Sequence, residues 1–239
     1  MLSIVIPVKN EKDNIGPLLA ELAALSDHVP LGEVIYVDDG STDGTLQTLK
    51  DFQNQHAFLR VLSHDRTAGQ SAALWTGVRA AGHDVIATLD GDGQNDPADI
   101  KRLYECYQVH SAGKTPLMVV GQRLKRQDNM IRKLSSRIAN GIRSALLKDS
   151  TRDTGCGIKL FRRYDYLRLP YFNHMHRFLP ALMKRDGVPV MHVDVSHRPR
   201  TRGVSKYGTL DRLLVGITDL FGVMWLQSRA CPDLTVLEE

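Results

Sequence analysis

The sequence predicts an α/β domain with a mainly parallel central sheet flanked by helices on both faces. Short apolar, β-branched runs alternate with segments whose apolar residues recur at helical spacing, which is typical of repeated β-α-β units. Several of the apolar runs end in acidic residues, as at positions 38–39 and 90–92. Ligands bind beyond the carboxyl ends of the strands in such sheets, so we expect a site at these ends.

The first half of the chain divides into four predicted strands and the helices between them. Apolar, β-branched runs predict strands over residues 2–8, 33–38, 58–62 and 84–89. Apolar spacing predicts a helix over residues 13–26, a second helix that Ser41 or Thr42 can cap, and a third over residues 69–81. Each helix therefore connects two strands of the same sheet.

The second half continues this order less regularly. Asp96 and Pro97 predict the start of a helix that runs to about Tyr107. Further strands or extended segments are predicted over residues 117–121, 154–161 and 188–195, and further helices over residues 129–147 and 175–185. A basic loop follows at residues 197–207. We expect residues 1–208 to form one domain and residues 209–239 to form an amphipathic helix and tail.

The run at residues 85–97 ends in two carboxylates, Asp90 and Asp92, each followed by a glycine. Two ionised carboxylates about 4 Å apart in a partly dry site repel each other by about 4 kcal/mol, so a cation is expected beside them. Mg²⁺ or Mn²⁺ suits such hard oxygen ligands and completes its shell with water and substrate phosphates. A solvated Asp-Gly turn is the alternative. Asn95 and Lys101 stand where an EF-hand loop needs glycine and glutamate.

Composition restricts the class of protein. With 239 residues and 42% hydrophobic content, the chain can bury one sizeable core. Its three cysteines show no paired spacing, which argues against a disulfide framework and a zinc site and favours a reducing compartment. The first apolar run is too short for a secretory signal, and no run of about 20 apolar residues could span a membrane. A cytoplasmic location is therefore expected.

The net charge of +4 conceals a strong asymmetry. Residues 1–119 contain 9 Lys/Arg and 16 Asp/Glu, whereas residues 120–239 contain 22 and 11. The acidic half suits a cation, and the basic half suits a phosphorylated substrate, an anionic lipid surface or nucleic acid. Few aromatic residues accompany the basic loops, which argues against nucleic acid.

Residues 209–229 predict an amphipathic helix whose apolar residues share one side: Leu210, Leu213, Leu214, Ile217, Leu220, Phe221, Met224 and Trp225. Trp225 near a polar end suits a membrane interface. Nearby cations would assist such contact: Arg198, Arg200, Arg202, Lys206 and Arg212. The same side could equally pack on the domain or on a second copy of the chain, so lipid contact and a homo-oligomer both stay open.

Four motifs together resemble the family 2 glycosyltransferases, and within them the polyprenyl-phosphate glycosyltransferases of the dolichol-phosphate mannose synthase type. They read IPVKNE at residues 6–11, VDDGSTD at 37–43, DGDGQ at 90–94 and RTRGVSK at 200–206. The first three in this order indicate the family. The fourth, with Arg123 and Arg132, indicates the lipid-phosphate branch. The resemblance covers about residues 1–210 and implies a nucleotide-sugar-binding fold of the GT-A type.

The resemblance also implies a role for each matched residue. Contacts to the donor nucleotide would come from Pro7, Glu11, Asp38, Asp39 and Asp90. Mg²⁺ or Mn²⁺ on the donor diphosphate would be held by Asp90, Asp92 and Gln94. The acceptor phosphate would be bound by Arg123, Arg132, Ser136, Ser205 and Lys206, together with Arg200. Catalytic roles would belong to Asp92, Asp153 and Arg200, although capping of a turn is an equal alternative for Asp153.

The resemblance implies inverting transfer of a sugar from a UDP- or GDP-sugar to polyprenyl phosphate. Many relatives have transmembrane helices at the C-terminus, where this sequence predicts only the amphipathic helix, so we expect a peripheral protein on the inner face of the cytoplasmic membrane. A phosphate monoester is largely dianionic at neutral pH, so the acceptor needs positioning and charge compensation more than a strong base. A saccharide hydroxyl acceptor is the nearest rival, and it would make Asp153 indispensable as a general base. A non-catalytic protein that binds nucleic acid is the second rival.

Overall fold

The computed structural model describes residues 1–111, 115–123, 141, 143–147, 149, 151, 153, 155–199 and 209–230, with the side chains of 209–215 excepted. Within these residues, seven strands form one sheet: β1 (Leu2–Val8), β2 (Leu31–Asp38), β3 (Leu59–Ser63), β4 (Val85–Thr88), β5 (Met118–Arg123), β6 (Lys159–Arg162) and β7 (Val190–Val195). Their order across the sheet is β3-β2-β1-β4-β6-β5-β7.

The described helices are α1 (Lys12–Leu25), α2 (Thr45–Gln53), α3 (Gln70–Ala80), α4 (Asp99–Ser111), α5 (Arg163–Leu167), α6 (Leu179–Arg185) and α7 (Thr209–Ser228). A 3₁₀ turn at Met175–Arg177 precedes α6, and residues 143–147 are also helical. The strands and helices of the first half thus follow the predicted alternation. The predicted helix over residues 129–147 lies mostly outside the described residues.

The sheet is mainly parallel, as predicted. Strands β3, β2, β1 and β4 pair in parallel, and so do β5 and β7. Strand β6 runs antiparallel to both of its neighbours, β4 and β5. Residues 154–161 are predicted only to be extended, because the apolar content of a short strand does not specify its direction.

Helices cover the sheet on both faces and create two apolar clusters. One cluster contains the buried side of α1, where Ile15, Leu18, Leu19, Leu22 and Leu25 are all buried as the helical spacing predicts. The other lies under α3 and α6 and includes residues of α5 and α7. Burial of each large aliphatic side chain contributes about 1.5–3 kcal/mol. These clusters fix the positions of the strand ends that carry the polar residues.

Helix α2 begins differently from the prediction that Ser41 or Thr42 caps it. The residue before its first turn is Gly44, with a φ of 91°, and the N–H of Thr45 donates to Asp43 Oδ1 at 3.0 Å. Ser41 Oγ instead accepts the backbone N–H of Asn10 at 2.8 Å. The N–H of Thr42 donates to Asn10 Oδ1 at 2.7 Å. These polar groups therefore join the β1–α1 turn to the β2–α2 turn, and the capping prediction is wrong.

The C-terminal helix α7 packs on the domain with part of its apolar side only. Val223 is fully buried, and Leu220 and Met224 pack against the second apolar cluster. Ile217, Phe221 and Trp225 are 45%, 64% and 59% exposed. The sequence predicts a single apolar side for this helix. In the structure, that side is divided into a face that packs on the domain and a face that is exposed. Among the described residues, no helix combines the length and apolar character needed to cross a bilayer.

Candidate active site

The carboxyl ends of β1, β2 and β4 lie side by side at one edge of the sheet. Because these strands are parallel neighbours, with Val8 opposite Asp38 and Val5 opposite Thr88, the residues that follow them enter the same region. The structure therefore brings together the three sequence-predicted groups on the donor side: Pro7 and Glu11, Asp38 and Asp39, and Asp90 and Asp92.

Asp38 and Asp39 are both buried but are bound differently. The Oδ2 atom of Asp38 accepts the N–H of Ser41 at 3.1 Å. Its Oδ1 atom is buried and has no hydrogen-bond partner within the described residues. A buried acceptor without a partner is costly, so Asp38 offers an acceptor for a ligand N–H or hydroxyl group.

Both oxygens of Asp39 are occupied by the protein. Oδ1 accepts the N–H of Ala68 at 2.8 Å and lies 2.8 Å from His64 Nδ1, and Oδ2 accepts the N–H of Gly69 at 2.8 Å. Burial alone would raise the pKa of Asp39, but the hydrogen bonds from Ala68, His64 and Gly69 lower it overall. Asp39 therefore holds the segment between β3 and α3 in place. The sequence-predicted nucleotide contact by Asp39 stays a prediction.

Asp90 and Asp92 form the acidic centre of the sheet edge at which β1, β2 and β4 end, which we call the acidic edge. Gln70 Nε2 donates to Asp90 Oδ1 at 2.9 Å, and the N–H of Gln94 donates to Asp92 Oδ1 at 3.1 Å. Burial of Asp90, and then the charge of Asp92, raise the pKa of Asp90; the charges of Lys159 and Arg123 oppose this only in part. A bound cation would favour the ionised form of both carboxylates.

The carboxylates at this site suit Mg²⁺ or Mn²⁺, which do not need protein ligands in every coordination position. Among the described residues, no group of three or more His, Cys, Asp or Glu side chains forms a metal site. Two carboxylates that leave coordination positions for water and phosphate are the usual arrangement for Mg²⁺ bound with a nucleotide. Gln94 contributes a backbone hydrogen bond to Asp92, and its predicted role as a metal ligand stays a prediction.

Glycines at two positions allow close packing around Asp90. A Cβ atom at Gly157 would overlap the carboxylate of Asp90, and one at Gly91 would overlap the side chain of Val8. The carbonyl oxygen of Gly157 also accepts the hydroxyl of Thr88 at 2.7 Å. Sequence reasoning did not identify Gly157, because its closeness to Asp90 arises only when β6 pairs with β4.

Arg123 and Asp153, which the sequence assigns to separate roles, are partners. Arg123 Nε donates to Asp153 Oδ2 at 2.5 Å, and a terminal guanidinium nitrogen donates to Oδ1 at 2.7 Å. The N–H of Gly155 also donates to Oδ1 at 3.2 Å. Burial alone would lower the pKa of Arg123, but the hydrogen bond and charge of Asp153 raise it. This bidentate pair fixes the guanidinium beside the acidic edge.

Lys159 is a buried cation that sequence reasoning missed. Its Nζ donates to the carbonyl oxygen of Cys156. Burial lowers its pKa, and the neighbouring acidic groups, including Asp90 and Asp153, oppose that shift. A lysine within the otherwise nonpolar run at residues 156–161 was the available signal, because lysine is seldom fully buried without partners. Lys159 therefore balances part of the negative charge beneath the edge.

The remaining acceptor-side predictions fall on residues that the structure does not describe: Arg132, Ser136, Arg200, Ser205 and Lys206. Their assignments stay predictions. Arg198 is described, and its side chain pairs with Glu21 and Asp96. The expectation that Arg198 assists membrane contact stays a prediction, and its guanidinium binds these two carboxylates.

Comparison with known proteins identifies relatives over most of the chain. The family model of glycosyl transferase family 2 matches residues 3–169. The chain is 36% identical over 230 residues to the dodecaprenyl-phosphate galacturonate synthase of Rhizobium johnstonii, covering 94% of this chain and 66% of that protein. It is 32% identical over 213 residues to the undecaprenyl-phosphate 4-deoxy-4-formamido-L-arabinose transferase of Aeromonas hydrophila, covering 88% and 64%. The chain thus spans about two thirds of the length of these curated relatives.

Solved structures with the same fold include glucosyl-3-phosphoglycerate synthase from Mycobacterium tuberculosis. Its complex with Mn²⁺, UDP and glucosyl-3-phosphoglycerate matches with a TM-score of 0.71 and 20% identity, over 98% of this chain and 81% of that chain. Its complex with Mg²⁺ and UDP matches with a TM-score of 0.68 and 19% identity, over 98% and 80%. The likeness confirms the predicted fold of the GT-A type.

Proposed function

The chain belongs to glycosyl transferase family 2, and from this premise we propose that it transfers a sugar, with inversion, from a nucleotide-sugar to a polyprenyl phosphate. The observation that carries the proposal is the acidic edge, where Asp38 offers a buried acceptor and Asp90 and Asp92 offer two carboxylates to a cation. The names of the two curated relatives, both polyprenyl-phosphate sugar enzymes, support the acceptor class.

On the donor side, Asp90 and Asp92 would hold Mg²⁺ or Mn²⁺ on the diphosphate, with Gln94 as a third candidate ligand. The cation supplies Lewis-acid stabilisation of the negative charge that develops on the leaving nucleoside diphosphate. The Mn²⁺, Mg²⁺ and UDP in the crystals of the structural neighbour support this choice of cofactor. Asp38 would accept a hydrogen bond from the base or ribose, while Asp39 keeps the adjoining segment in position.

On the acceptor side, the phosphate is the nucleophile and needs positive charge more than a base. Arg123 lies beside the acidic edge, and Asp153 fixes its guanidinium through two hydrogen bonds. Arg132, Ser136, Arg200, Ser205 and Lys206 are proposed to supply the remaining contacts. A carboxylate whose two oxygens bind a guanidinium is poorly placed to accept a proton. The pairing of Asp153 therefore favours a phosphate acceptor over a saccharide hydroxyl.

For the location, we propose that the exposed face of α7 (Ile217, Phe221 and Trp225) contacts the inner surface of the cytoplasmic membrane. Contacts on the opposite side hold the helix so that this face points outward: His174 Nδ1 lies 3.0 Å from Asp219 Oδ2, and Arg185 Nε donates to the carbonyl oxygen of Leu226 at 2.9 Å. Flotation with anionic liposomes tests this arrangement. Phe221→Asp should abolish flotation, whereas unchanged flotation together with a loss of dimers would assign the face to a homo-oligomer.

A donor panel tests the reaction itself. Purified protein is incubated with radiolabelled UDP- and GDP-sugars and undecaprenyl phosphate, with and without Mg²⁺ or Mn²⁺. We expect organic-extractable label that depends on the cation, and none when undecaprenol replaces undecaprenyl phosphate. Label that is transferred only to a saccharide acceptor, supplied in a parallel reaction, would contradict the proposal and favour the hydroxyl-acceptor reaction.

A further inference from the structure

The segment that leaves β7, residues 196–199, is fastened to the segment that follows the two acidic residues of the site. The N–H and the hydroxyl of Ser196 both donate to Asp99 Oδ2, at 2.8 and 2.6 Å. The N–H of Arg198 donates to the carbonyl oxygen of Gln94 at 2.9 Å. Backbone and side chain thus join two segments that are about a hundred residues apart in the sequence.

The guanidinium of Arg198 adds a third element to this connection. One terminal nitrogen contacts both carboxylate oxygens of Glu21 in α1, at 2.8 and 2.9 Å, and the other contacts Asp96 Oδ2 at 2.6 Å. The planar fork of arginine can bind two carboxylates in different directions, which the single ammonium group of a lysine cannot reproduce. Arg198 therefore bridges α1 and the acidic loop.

These contacts lie close in the sequence to residues that have proposed roles in the reaction. Gln94 follows Asp92 by two residues, and Arg198 precedes Arg200 by two residues. Arg198 and Pro199 also face Gly93 across a surface cleft. The connection thus joins the loop that would hold the cation to the chain that leads into the basic motif at residues 200–206.

We propose that Arg198, with Ser196 and Asp99, is a positioning residue that keeps the entry to the basic motif in fixed register with the acidic loop at residues 90–96. This inference rests on the proposed function, in which two anions must meet in line. A displacement of about 1 Å can reduce the rate of such a step about 100-fold. Neither Arg198 nor Asp99 needs to touch a substrate for this effect.

Three variants test the proposal: Arg198→Met, which removes the bridge, Arg198→Lys, which keeps only the charge, and the control Lys101→Met. Lys101 is an exposed cation on α4, so its loss makes the same change in net charge close by. We expect kcat for transfer to undecaprenyl phosphate to fall about 30- to 100-fold in Arg198→Met and about 10-fold in Arg198→Lys. The control should stay within about twofold.

Measurements of nucleotide binding distinguish a positioning role of Arg198 from a general disruption of the site. Titration with UDP and with GDP, each with Mn²⁺, should give dissociation constants for Arg198→Met within about twofold of wild type, because Asp90 and Asp92 keep their own contacts. Ser196→Ala, a milder variant, should lower kcat about threefold with the same unchanged binding. An unchanged kcat in Arg198→Met, or an equal loss of nucleotide binding and transfer, would overturn the proposal.

Hydrogen exchange tests the same inference without an acceptor. The amides of Ser196 and Arg198 donate across the connection, so both should exchange at least about tenfold faster in Arg198→Met. Unchanged exchange would contradict the proposal even if transfer were impaired. A wild-type protein that transfers no sugar to undecaprenyl phosphate would instead contradict the proposed function, while the exchange result would still decide whether Arg198 holds the two segments together.

Discussion

The proposed donor side and the proposed acceptor side of the site are built in different ways. On the donor side, the polar residues follow three parallel strands directly and are held by contacts among neighbouring turns, as with Asn10, Ser41 and Thr42. On the acceptor side, ion pairs between oppositely charged side chains hold the residues, as with Arg123 and Asp153 or Arg198 and Asp96. Sheet topology thus preforms the proposed donor side, whereas the described part of the proposed acceptor side depends on individual charges.

The largest expected effect is on the donor side, where Asp92→Asn should abolish transfer. The substitution removes one of two carboxylate charges from the proposed cation site, and loss of cation-dependent stabilisation typically costs 1000-fold or more in kcat. Transfer assays and circular dichroism should show an inactive protein with an unchanged fold. Asp51→Asn, on the exposed surface of α2, is the matched control. Near-normal turnover of Asp92→Asn would contradict the assignment of Asp92 as a ligand of the metal ion.

Gly157→Ala tests the close contact between Gly157 and the carboxylate of Asp90. The added Cβ would overlap the carboxylate of Asp90, and the resulting displacement should lower kcat about 100-fold and the free energy of unfolding by about 1–3 kcal/mol. Gly222→Ala is the control, because nothing lies within 4 Å of a Cβ there. Alanine at that helical position should leave activity unchanged and stabilise the protein by about 0.5–1 kcal/mol. Equal behaviour of the two variants would contradict the role assigned to Gly157.

On the acceptor side, Asp153→Asn should lower transfer by only about tenfold. The asparagine oxygen can still accept one hydrogen bond from Arg123, so the guanidinium loses its bidentate partner but keeps its place. Arg123→Lys should have a similar effect, because an ammonium group cannot bind both oxygens in the same way. Steady-state kinetics with undecaprenyl phosphate measure both. A loss of 1000-fold or more in Asp153→Asn alone would instead indicate a general base and a hydroxyl acceptor.

The same contrast explains how much the sequence could predict. The alternating pattern predicts the helices and strands of the first half, and the motif residues that follow β1, β2 and β4 converge because parallel strands carry their ends to one edge. The direction of β6, the contact of Gly157 with Asp90 and the partner of Arg198 depend on which distant segments pair. A single sequence carries no local signal for such pairings. The partners of polar turn residues are hard to predict for a related reason. Ser41 could bind either the first turn of α2 or the β1–α1 turn, and in the structure it binds the β1–α1 turn.

The smallest expected effect concerns stability and tests whether the donor side is as preformed as the contacts of Asp39 suggest. In Asp39→Asn, one of the N–H groups of Ala68 and Gly69 loses its acceptor, which should lower the free energy of unfolding at pH 7 by about 2 kcal/mol. The folded-state pKa of Asp39 lies below its usual range, so its contribution is present above the unfolded-state pKa near 4 and is lost as the pH falls through the folded-state value. Urea denaturation from pH 7 to pH 3 should therefore show the difference between wild type and Asp39→Asn shrinking below about pH 4. A difference that stays constant over this range would mean that the contacts of Asp39 do not depend on its charge.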